Sequence, residues 1–181
     1  MYVRSIGQPR QGTALLENRM PSIGELPSAR MDLDVLGWSQ CLSTNKASTV
    51  IFEAAKCSGS RAIRMPGLGN IMELPFLITF GQSPPEEDAY LMPADSIGYV
   101  SPQESNAHSG AFVACSIWLP EGCFAELWQR LRAGGGLTSS ISVNVAPISR
   151  EAGDSLVWDR AESKFLFVAS VDFRFDWKGA Y

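Results

Sequence analysis

The chain reads as a mainly β protein: an antiparallel β-sandwich or strongly curved sheet with one amphipathic helix over residues 121–132. Three observations predict this. From Phe165 onward every second residue is apolar: Phe165, Phe167, Ala169, Val171, Phe173, Phe175, Trp177. Two more stretches, Ile71–Gly81 and Leu137–Ala146, keep the same two-residue rhythm, which marks a strand with one face on a core. Only one segment carries a clean helical stripe.

Residues 1–30 are rich in turn formers (Gly7, Pro9, Gly12, Pro21, Gly24, Pro27), and an irregular segment laid over the body is expected there. Asp32–Leu42 and Ser48–Lys56 then read as strands, joined through the short polar connection Ser43–Lys46 as a hairpin would be. Arg61–Met65 is a short strand stopped by Pro66 and Gly67. In Ile71–Gly81 the residues Met72, Leu74, Phe76, Ile78 and Phe80 share one face. Pro75 lies on the other and cannot donate to a ladder, so an edge position or a bulge is expected.

Ser96–Val100 is a further short strand, and Ala111–Leu119, apolar on both faces, suits a central one. Pro120 opens the helix Glu121–Arg132, whose stripe is Phe124, Leu127, Trp128 and Leu131. Glu121 suits the positive end of the helix dipole and Arg130 and Arg132 the negative end; Glu126 and Arg130 are placed to pair. Gly134–Gly136 end the helix. Leu156–Asp159 and the final run flank Ala161–Ser163, which has the length of a hairpin turn. The final run exceeds an ordinary strand, so it is expected to bend or to serve two sheets.

The 181 residues suit one domain, with residues 1–30 packed on it. A chain of this size buries roughly 70% of its unfolded surface and needs no metal or disulfide staple. Its net charge is −4 and its cations are scattered, so neither nucleic acid nor an anionic membrane is an expected partner. No run is apolar enough for a membrane helix, and the first residues lack a secretory signal. Cys41, Cys57, Cys115 and Cys123 form no C-x-x-C pair and read as reduced core residues, which fits a cytoplasmic protein.

No catalytic residue, metal site or cofactor is predicted. One histidine, His108, and four spread cysteines give none of the usual zinc spacings. Cys123, near a helix start, reads as a packed thiol, and Gly67–Gly69 as a turn, because no helix follows it to hold a phosphate. Asp172, Arg174 and Asp176 read as a solvent-facing charge ladder, and Glu86–Asp88 as a solvated loop tip.

Of the five tryptophans, Trp118 and Trp128 fall on core-facing periods. Trp38, Trp158 and Trp177 are less constrained, and with Tyr90 in the Pro-rich loop 83–93 they are the candidate interface residues. The expected function is a non-catalytic binding protein of the small intracellular inhibitor or adaptor type, working through a protein partner or self-association. The alternatives are a carbohydrate-binding sandwich with Trp platforms and a hydrolase centred on His108.

Overall fold

The computed structural model describes residues 2–4, 21–42, 48–58, 61–82, 92–104, 110–133 and 138–175. Twelve strands and one α-helix are described: β1 (Tyr2–Arg4), β2 (Ala29–Leu42), β3 (Ser48–Ser58), β4 (Ala62–Met65), β5 (Gly69–Asn70), β6 (Phe76–Gly81), β7 (Gly98–Glu104), β8 (Ala111–Trp118), α1 (Glu121–Arg132), β9 (Thr138–Ala146), β10 (Arg150–Ala152), β11 (Ser155–Val157) and β12 (Leu166–Phe175). Short 3-10 turns lie at Ile23–Glu25 and Ile71–Glu73.

The protein is mainly β with one helix, as expected, but the sheet is neither an open curve nor half of a sandwich. Strands pair in the order β12-β7-β8-β6-β3-β2-β9, and β9 pairs again with β12, so seven strands close into a barrel. Direction must return to itself around a closed ring. Seven strands therefore cannot pair wholly antiparallel, and β6–β8 is the one parallel pair. A parallel pair needs a long crossover rather than a hairpin. Here residues 82–110 supply it and contribute β7 on the far side of β8.

Alternation sends one side chain in two to the interior. Met31 and Leu33 of β2, Val50 and Phe52 of β3, Phe76, Ile78 and Phe80 of β6, and Ile141, Val143 and Val145 of β9 are all buried there. Val113, Cys115 and Ile117 of β8 join them. At the centre Phe80 meets Phe52 edge-on at 5.5 Å and Phe173 at 5.1 Å. Such pairs add roughly 0.5–1.5 kcal/mol beyond their buried area. The interior is a packed core of side chains, as a small barrel permits.

β8 and β6 end together at Trp118 and Gly81, beside the start of β3 and the end of β2. From that end α1 carries the chain round to β9. Phe124, Leu127 and Leu131 of α1 belong to the same buried cluster as the barrel interior. Their burial contributes on the order of 1.5–3 kcal/mol each before entropy. Trp128 is only half-buried, at the margin of the expected stripe. Glu126 and Arg130 pair at 2.7 Å, one turn apart.

Several expectations are corrected. Pro75 is neither at an edge nor inside a bulge. It precedes β6, its carbonyl accepts from Val113 N at 2.9 Å, and β6 lies between β3 and β8. Residues 71–73 form a 3-10 turn, so the strand is shorter than its alternation. Leu156–Asp159 does not form a hairpin with the final strand. β11 lies between β10 and β4, in a second sheet of order β10-β11-β4-β5. Trp118 points outward, half-buried against Tyr99 at 5.7 Å. Tyr2–Arg4, expected to be irregular, pairs with residues 170–172 of β12.

The final strand changes face midway. Val168 pairs with Val145 and Ser170 with Asn144, leaving Ala169 as the extra residue of a β-bulge. Before the bulge Leu166 and Val168 point inward; after it Val171 and Phe173 do. Phe165 and Phe167, read as core residues from the alternation, therefore lie on the outer wall.

Gly98 is needed where β7 joins β8. A Cβ there would lie 2.2 Å from the Ser116 carbonyl oxygen and 3.0 Å from the Ile117 Cα. No side chain fits that approach, and Trp118 N uses the gap to donate to Ile97 O at 2.7 Å.

Candidate functional site

With the interior filled, the polar and exposed apolar groups described next lie on the outer wall and at the helix end of the barrel. At the helix end β2 is irregular: Asp34 pairs with Lys56, Val35 with Ala54 and Gly37 with Glu53, so Leu36 is extra. Leu36 continues the outward alternation of Asp32 and Asp34, is 70% exposed, and among the described residues is the one large exposed hydrophobe. Two residues on, Trp38 is half-buried and stands perpendicular to Trp128 of α1, ring centres 6.0 Å apart. The Arg132 guanidinium lies 5.8 Å from the Trp128 ring centre. β2 thus carries an exposed Leu36 and, two residues along the strand, Trp38 against the Trp128 ring that holds Arg132.

A second surface covers the outer faces of β2, β9 and β12. Register places Arg30, Asn144 and Ser170 in one row, Asp32, Ser142 and Asp172 in the next, and Asp34, Ser140 and Arg174 in the third. The rows are cross-linked. Arg30 Nε donates to Asp32 Oδ1 at 3.0 Å and its Nη2 to Ser142 Oγ at 2.9 Å. Ser142 Oγ in turn donates to Asp32 Oδ1, and Asn144 Nδ2 donates to Ser170 Oγ at 2.7 Å. Burial pushes the Asp32 carboxyl up. The hydrogen bonds from Ser142 and Arg30, with the charges of Arg30 and Arg174, outweigh that and hold it below its ordinary value. Ser142, 2% exposed, already gives its proton to Asp32 and accepts from Arg30. Its hydroxyl is part of a cross-linked polar ladder.

The sequence-predicted residues separate. Trp38 sits at the helix-end surface, as described. Trp158 is corrected: it is 0% exposed, and its Nε1 donates to Ser163 O at 2.8 Å, so it anchors the small sheet to the main core instead of facing a partner. Trp177, Tyr90, His108, Asp176 and the loop tip Glu86–Asp88 lie outside the described residues. Cys115 is buried inside the barrel and Cys123 is half-buried on the helix. Gly67 and Gly69, both at positive φ, form the turn between β4 and β5. Leu36 was missed, because it lies on the outward face with Asp32 and Asp34 and alternation does not show whether an apolar residue there is covered.

Among the described residues, no three His, Cys, Asp or Glu side chains are grouped so as to hold a metal ion. No helix of the described residues is long and apolar enough to cross a membrane. No protein-family model matches the chain, and comparison with curated proteins and with solved structures finds no match to either.

Proposed function

We propose that this is a non-catalytic binding protein that works through a protein interface, with another protein or with a second copy, at the helix end of the barrel. The observation that carries this reading is Leu36, 70% exposed on β2 two residues before the half-buried Trp38–Trp128 pair. Trp and Arg are the residue types that binding hot spots favour, and Leu36 adds an exposed apolar side chain on the same strand as Trp38. The packed interior directs binding to the outside. A sugar platform is less well served, since the Trp128 ring already carries Arg132.

The test is association across a concentration series by light scattering, with pull-downs, for the wild type and Leu36→Glu. The expected result is self-association or a captured partner in the wild type that Leu36→Glu loses while its melting temperature holds. A wild-type chain that stays monomeric and shows the same interactors as Leu36→Glu overturns the proposal.

A further inference from the structure

The outer wall has a third region, apolar and covered. Tyr99 of β7, Phe167 of β12 and Ala146 of β9 lie side by side in register, with the Phe165 ring tilted against Tyr99, centres 4.9 Å apart. Over them runs the segment 21–28. Its Ile23 is buried against Ala146 and Phe167, and Leu26 packs beside it. This cluster is separate from the barrel interior.

Among the described residues, few bonds hold the cover down. Ser22 Oγ donates to Asp95 Oδ2, and Ile23 N donates to both Asp95 oxygens at 3.1 Å. Asp95 thereby caps the 3-10 turn Ile23–Glu25 from a distant loop. At the other end Ile148 N donates to Pro27 O at 2.7 Å. The barrel strands are instead held by continuous ladders around a closed ring.

We infer that residues 21–28 are a releasable latch, with Asp95 as its catch, that opens without unfolding the barrel and uncovers the aromatic strip Tyr99–Phe165–Phe167. Among the described residues the latch shares no buried side chain with the main core, so its contacts can break alone. Local opening of this kind is drawn from elements with few buried contacts.

Native-state hydrogen exchange tests it. The Ile148 amide reports the latch, and the Val143 amide in the β9 ladder reports the barrel. In the wild type, Ile148 is expected to exchange on the order of tenfold or more faster than Val143, through an opening insensitive to low denaturant. Asp95→Ala should speed Ile148 further, leave Val143 unchanged and raise binding of an apolar-surface dye. Asp95→Asn, which keeps one acceptor oxygen, should fall between. Ile148 and Val143 exchanging together in the wild type, or a variant in which both accelerate equally, overturns the latch. So does an Asp95→Ala chain whose Ile148 exchange and dye binding match the wild type.

Discussion

One strand, β12, supplies two outer surfaces of opposite character. Ahead of its bulge it shows Phe165 and Phe167 to the outside; beyond it, Asp172 and Arg174. β9 runs the same way, with Ala146 under the cover and Asn144, Ser142 and Ser140 on the polar face. Both halves belong to the same pair of hydrogen-bonded strands. Among the described residues, segment 21–28 lies over one half and not the other. The side chains on a barrel's exterior thus follow what covers them.

The sharpest way to break that comparison is to set both surfaces against the interior. Phe80→Ala removes the ring that joins Phe52 and Phe173, and about 3–5 kcal/mol should be lost in denaturant titration. If the covered strip is a true second core, Phe167→Ala should approach this, at roughly 3 kcal/mol. A loss below about 1 kcal/mol would make the strip mere surface.

Gly98→Ala sharpens the position of the seam between the two halves. Its Cβ meets backbone rather than a movable side chain, so about 1–3 kcal/mol should go, read as a lower melting temperature. On the polar face Ser142→Ala should cost about 1 kcal/mol, since Arg30 and Asp32 lose a shared partner. The smallest effect is the acid limb. The folded Asp32 carboxyl sits below its ordinary 3.8, so its contribution is whole above that pH and fades as pH falls through the lowered folded value. Asp32→Asn should therefore be less stable than wild type at neutral pH and converge with it in acid. A constant gap down to strong acid would show that the ladder does not depend on the charge.

Much of the fold was legible in the sequence for physical reasons. The helix announced itself through Phe124, Leu127 and Leu131, because a helix must bury one stripe. The central placement of Ala111–Trp118 followed from apolar residues on both faces, and β8 does lie between β6 and β7. Closure was not legible. Alternation records which face is buried, not whether the first and last strands of a sheet meet, and a β9–β12 contact leaves no local trace. The bulge at Ala169 was hidden because both faces of the strand are apolar around it, so a parity change reads as continued alternation. Trp158 was misplaced because three apolar residues, Leu156–Trp158, are too short a run to reveal a period. Of the helix-end surface only Trp38 was singled out, since the face that Leu36 shares with Asp32 and Asp34 does not tell whether it is covered.

The place of β12 in the ring has a consequence for synthesis. Emerging from the ribosome after every other described strand, it is the piece that joins β9 to β7 and receives β1. Until it arrives, the nascent chain holds two open strand edges and an interior lacking Leu166, Val168, Val171 and Phe173. Chains truncated before residue 166 should aggregate or be captured by chaperones, and adding those last residues should release them.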